Sequence, residues 1–273
     1  MSAEIYDNRT CRLGEGPLWH PHRQELFWFD ILNCRLHSVS RTWQFGEMVS
    51  AAGWIAHNTL LIASETQLFT FDLESGPQDK LVALEADLSQ NRSYDGRADP
   101  WGGFWIGTMS KSAAPKQGAI YRYFQSKLTK LYSDISISNG ICFAPNQSCA
   151  YFSDTPTGQV MQVCLDEEGW PVGAPEVFLD LRKEGLNPDG AVTDADGTYW
   201  LAQWGASRIA AYGADGVFKA ALSVTTTQSS CPALSPGAFF VTSSADGVDE
   251  ADGGKTFRLA TNAPFKPEPG ILL

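Results

Sequence analysis

Four dipeptides carry the chemistry of this sequence: Glu15-Gly16, Asp95-Gly96, Asn139-Gly140 and Asp189-Gly190. Taken singly, Asp-Gly and Asn-Gly read as ordinary turns. Four of them at one phase of a repeat, with Glu-Gly, a poor turn former, among them, point instead to an oxygen-donor cation site. Carboxylate and amide oxygens suit Ca²⁺, Mg²⁺ or Mn²⁺ better than a soft metal. Other chemistries find no support. The chain has no Gly-x-Ser-x-Gly elbow, no His-Glu-x-x-His and no Gly-rich phosphate loop. Asp194-Ala-Asp-Gly197 and residues 246–254 lack EF-hand spacing and its terminal Glu, and read as turns. His20 and His22 read as turn residues and His37 and His57 lie near strands, none with a partner at ligand spacing. The six cysteines form no Cys-x-x-Cys pair, so most are expected to be buried apolar residues.

The elements that must position these residues repeat along the chain. After each dipeptide comes an aromatic strand: Leu26-Phe-Trp-Phe-Asp30, Phe104-Trp-Ile-Gly-Thr108, Ala150-Tyr-Phe-Ser-Asp154 and Tyr199-Trp-Leu-Ala-Gln203. A third strand follows in each: Arg35 to Val39, Ala119 to Tyr123, Gln159 to Val163 and Arg208 to Tyr212. Two weaker copies start at Gly53-Trp-Ile-Ala and Ser230-Cys-Pro-Ala. The spacing is about 45 residues, that of propeller blades, and 273 residues accommodate six. The pattern predicts an all-β fold: a six-bladed β-propeller of four-stranded antiparallel blades, forming one domain over residues 1–273. Glu4-Ile-Tyr6 would close the ring by joining the last blade. Equivalent positions of the innermost strands then converge on the central channel.

The formal charge of −11 disfavours nucleic acid, whose binding needs clustered Lys and Arg. No apolar run reaches the roughly 20 residues that span a bilayer, and Met1 to Arg12 lacks the apolar core of a signal peptide. The expectation is a cytoplasmic monomer without nucleic-acid or membrane partners.

The motifs Leu13-Gly-Glu-Gly-Pro-Leu-Trp19, Asn91-Arg-Ser-Tyr-Asp-Gly96, Ile137-Ser-Asn-Gly140 and Asn187-Pro-Asp-Gly190 strongly resemble the senescence marker protein/regucalcin family of gluconolactonases. The likeness runs from about residue 12 through Asp246-Gly247. It implies a six-bladed propeller with one divalent cation (Ca²⁺, Zn²⁺, Mn²⁺ or Mg²⁺) in the channel, hydrolysing a small-molecule sugar-acid lactone. By motif, the metal ligands fall on Glu15, Asn139 and Asp189, with Asp189 also the general base. Substrate-contacting positions fall on Arg92, Tyr94 and Asp95. Tyr94 stands where the family motif has Asn, and a phenol cannot offer an amide's paired donor and acceptor. A basic segment, Ser110-Lys-Ser-Ala-Ala-Pro-Lys116, would favour an anionic lactone if it bordered the channel mouth, and otherwise reads as a solvated loop.

Two other functions fit the same scaffold: a non-enzymatic calcium-binding propeller, and an organophosphate or aryl-ester hydrolase. Arg92 in the channel favours an enzyme over the first, and the absence of His from the four motifs disfavours the second.

Overall fold

The computed structural model describes residues 3–273 as six four-stranded antiparallel sheets arranged as a β-propeller, as the repeat predicts. The first five blades cover residues 14–44, 49–83, 91–135, 138–180 and 187–223. The sixth takes three strands from residues 229–260 and its fourth from Glu4–Asp7, with Glu4 paired to Arg258 and Ile5 to Phe257. Backbone hydrogen bonds between the two ends of the chain therefore close the ring. Among the described residues the helical content is confined to two three-residue 3₁₀ turns, Ile31–Asn33 and Thr155–Thr157. None of the described residues form a helix long and apolar enough to cross a membrane.

The aromatic runs are the second strands: Glu25–Asp30, Phe104–Ser110, Cys149–Asp154 and Tyr199–Trp204. A strand with one wet face alternates apolar and polar residues. These are covered on both faces by neighbouring blades, so Leu26, Phe27, Trp28 and Phe29 are all fully buried. Each such side chain contributes roughly 1.5–3 kcal/mol of apolar burial.

The innermost strands are Gly14–His20, Val49–Ala56, Asn91–Ala98, Ser138–Phe143, Asn187–Thr193 and Ser229–Ser235, and each packs on the next around the ring. Each pairs with its second strand through one shared irregularity. The register slips between Glu15 and Leu18, Val49 and Ala51, Ser93 and Gly96, Asn139 and Cys142, Pro188 and Ala191, and Ser229 and Pro232. A β-bulge re-aims the side chains beside it, and in blades one, three, four and five it falls where the polar-Gly dipeptides stand. Gly16 and Gly140 supply left-handed backbone for it, at φ +52° and +63°. Gly190 serves close packing instead: a Cβ there would lie 2.3 Å from Cys231 Sγ.

The Pro-rich carboxyl-terminal residues form a strap over the carboxyl-terminal ends of the innermost strands. Pro264 O accepts from Ala195 N (2.9 Å), Lys266 Nζ donates to Phe143 O (3.0 Å), and Glu268 pairs with Arg97. Ile271 N then donates to Trp54 O and Leu272 N to Gly102 O, both at 2.9 Å. Beneath the strap, Arg97 donates to Ile141 O and Ala191 O at 3.0 Å each.

Candidate active site

All six residues expected at the site lie on innermost strands and are buried: Glu15 in blade one, Arg92, Tyr94 and Asp95 in blade three, Asn139 in blade four and Asp189 in blade five. Asn139 Nδ2 donates to Thr155 Oγ1 (2.8 Å), whose hydroxyl donates to Pro188 O (2.8 Å), next in sequence to Asp189. That chain of bonds fixes Asn139 and leaves its Oδ1 buried with no partner; Asp189 Oδ1 is likewise buried and unpartnered. Glu15 Oε2 accepts only its neighbouring amide, Gly16 N (3.0 Å), and Oε1 accepts a long bond from the Tyr94 hydroxyl (3.4 Å).

Burial pushes the Asp189 carboxyl far above the usual carboxylate range, and Glu15 and Asp95 push it further. Glu15 is raised by burial and then by Asp95. Three carboxyls thus share one desolvated neighbourhood, where ionising them together is costly. Two orphaned oxygens, a weakly satisfied carboxylate and this excess of buried negative charge fit a hard divalent cation. Glu15, Asn139 and Asp189 are the residues that would hold it.

Arg92 stacks its guanidinium over the Tyr94 ring, 4.6 Å from the centroid, and NH1 donates to Ser93 O (3.1 Å). Burial lowers its pKa, and no carboxylate forms an ion pair with it among the described residues. Asp95 also makes a structural contact. Its Oδ2 accepts the amide of Ile141 (2.7 Å), tying blade three to the strand that carries Asn139, and Arg97 offsets the burial that raises its pKa. The basic segment is exposed, and Lys111 is engaged by Glu65 and by Ser89 O. His20 is not a surface turn residue: it ends a strand, is fully buried, and its Nε2 lies 3.1 Å from Ala56 O.

Several polar groups here escaped the sequence reading. The Ser138, Ser153 and Tyr199 hydroxyls are buried without partners, and Tyr199 OH lies 2.9 Å from where a Cβ on Gly140 would stand. For Ser153 and Tyr199 the signal was the aromatic strand that carries them, read for its apolar residues, and for Ser138 it was its place next to Asn139. Outside the channel, Cys11, Asp30 and His37 bring one donor atom each within 4.8 Å of one another.

The fold and the channel define a six-bladed propeller with a buried oxygen-donor site. The chain matches the SMP-30/gluconolactonase/LRE-like region over residues 13–245, and it belongs to that family. A Rhizobium meliloti (strain 1021) protein with the provisional name sugar lactone lactonase is 39% identical over 290 residues, covering 100% of this chain and 98% of the relative. The L-arabinolactonase of Azospirillum brasilense is 34% identical over 259 residues, covering 90% of this chain and 85% of its own. The crystal structure of regucalcin, a calcium-binding protein from Agrobacterium tumefaciens strain C58, superposes with a TM-score of 0.96. Its identity is 36%, and the match covers 100% of this chain and 98% of that one.

Proposed function

We propose that this protein is a divalent-cation-dependent lactonase that opens a sugar-acid lactone to the free acid. The carrying observation is that Asn139 Oδ1 and Asp189 Oδ1, on the innermost strands of neighbouring blades, are both buried without partners, while Glu15 is close enough to Asp189 to raise its pKa. Relatives named as lactonases support the cyclic-ester reaction, and the calcium-binding name of the regucalcin structure supports the cation.

When bound, the cation supplies Lewis-acid polarisation of the lactone carbonyl. The remaining work belongs to the chain. Asp189 accepts the proton of the attacking water as the new carbon–oxygen bond forms. The ring carbon–oxygen bond then breaks, and the proton passes from Asp189 to the departing ring oxygen. Arg92 keeps free the N–H groups not used on Ser93 O, in a planar fork suited to sugar hydroxyls or a carboxylate. Tyr94 holds that fork from below and steadies Glu15. Asp95 acts from behind, through Ile141, on the strand that presents Asn139.

The test is acid release from a panel of five- and six-membered sugar lactones, an aryl ester and a phosphotriester, with and without EDTA. Lactone turnover that EDTA abolishes and an added divalent cation restores is the expected result. Turnover insensitive to EDTA, or confined to the aryl ester or phosphotriester, would overturn the proposal.

A further inference from the structure

We infer that Cys11, Asp30 and His37 form a second cation site, distinct from the channel, for a borderline-soft divalent ion such as zinc. The three donor atoms lie within 4.8 Å of one another and all three residues are buried. Thiolate, imidazole and carboxylate together are a zinc-type donor set rather than a calcium-type one.

The surroundings are those of ligands held in place. Ligating carboxylates and imidazoles are typically fixed by a further layer of hydrogen bonds. Asp30 Oδ1 accepts from Leu13 N (3.1 Å) and Oδ2 from Asn33 Nδ2 (2.7 Å), leaving a lone pair on each oxygen. His37 Nδ1 lies 2.9 Å from Thr42 Oγ1. With Nδ1–H donating there, Nε2 carries the free lone pair. Trp28, whose ring centroid lies 5.6 Å from that of His37, has its Nε1 buried without a hydrogen-bond partner.

Arg9 does not block the position: it approaches His37 Nδ1 at 3.4 Å but makes a shorter bond to Thr42 Oγ1 (2.9 Å), and Asp7 neutralises it through two contacts of 2.8 Å. Burial, with Asp30 adding, pushes the Cys11 thiol up to about 12, so a bound cation has to displace the thiol proton.

The position gives the ion a task. Cys11 lies between the strand that completes blade six, Glu4–Asp7, and the first strand of blade one, Gly14–His20. Its N–H donates to Gly254 O (2.8 Å) and its carbonyl accepts from Ala245 N (3.2 Å), both in blade six's last loop. Asp30 and His37 belong to blade one. An ion here fastens the seam where the ring closes.

The experiment is metal replacement with cobalt. Chelated protein is reloaded with Co²⁺, and bound metal and the near-ultraviolet thiolate-to-cobalt band are measured. The expected result is two equivalents per chain, with Cys11→Ser and His37→Gln each binding one. Cys11→Ser should also lose the thiolate band, melt at lower temperature and keep any lactone turnover. One equivalent in the unaltered protein, no thiolate band, or a band that survives Cys11→Ser overturns the inference. If Cys11→Ser does not fold, His37→Gln decides by stoichiometry: two equivalents retained in that variant overturns it equally.

Discussion

The Tyr94 hydroxyl donates to Glu15 Oε1 across the channel at 3.4 Å, while the face of the same ring carries the Arg92 guanidinium. One side chain therefore links a proposed cation ligand in blade one to a proposed substrate ligand in blade three. Its two contacts separate by mutation. Tyr94→Phe keeps the ring and removes the bond to Glu15, and a bond of this kind is worth about 1 kcal/mol. We expect cation affinity to weaken about fivefold, read by calorimetry, with KM little changed. Arg92→Ala should do the reverse, raising KM while leaving cation affinity near its starting value; a loss confined to kcat would place Arg92 in transition-state stabilisation.

Asp189→Asn preserves shape and removes charge. Removing a general base typically costs about 10²- to 10⁴-fold in rate, and here a cation ligand is weakened as well. Turnover should fall at least about a hundredfold and the calorimetric signal for cation binding should shrink. A variant with full activity would remove Asp189 from the mechanism.

Chelation should expose the buried carboxyls as a pH-dependent liability. Burial, with Asp95 adding, raises Glu15 from 4.5 to about 8, and Asp189 moves in the same direction. A carboxyl whose pKa is higher in the fold binds more protons folded than unfolded, so stability falls as pH rises through that interval. The Tm of chelated protein should therefore decline from pH 4.5 towards about 8, and added divalent cation should flatten the slope. A Tm that rises with pH over this range in the presence of EDTA would contradict this account.

Away from the channel, Asp99 and Arg122 form a fully buried ion pair at 2.7 Å, with the guanidinium packed 4.3 Å from the Phe124 ring centroid and 4.4 Å from that of Trp170. Asp99 Oδ1 also accepts from Trp101 N and Gly103 N, each at 2.9 Å. Asp99→Ala leaves Arg122 charged and unpaired in the interior, which costs about 3–5 kcal/mol. Thermal unfolding should register that loss while kcat of the remaining folded enzyme stays close to normal.

The inner half of each blade was legible in the sequence because burial on both faces writes a continuous aromatic signature, as in Leu26 to Phe29. The outermost strands were not. Gly76–Ala83 and Phe218–Ser223 are largely exposed, with apolar Phe218, Ala220 and Ala221 on the surface, so burial imposes no alternation on them to detect. The phase of the polar-Gly dipeptides puts Glu15, Asp95, Asn139 and Asp189 on innermost strands, but it does not reveal which of their oxygens are already bonded. Asp95 precedes its glycine as Asp189 does, yet an Ile141 amide in the next blade claims one of its oxygens. Cys11, Asp30 and His37 stayed hidden for a different reason. Strand pairing sets Trp28 opposite His37, and blade six holds Cys11 by its backbone, so the grouping depends on partners distant in sequence.

The strap crosses the carboxyl-terminal ends of the innermost strands, with Arg97 spanning from Ile141 O to Ala191 O beneath it. Pro264 and Lys266 hold blades five and four, and Ile271 and Leu272 hold blades two and three. The tail is thus a second clasp, which ties together four blades that the closing strand never touches.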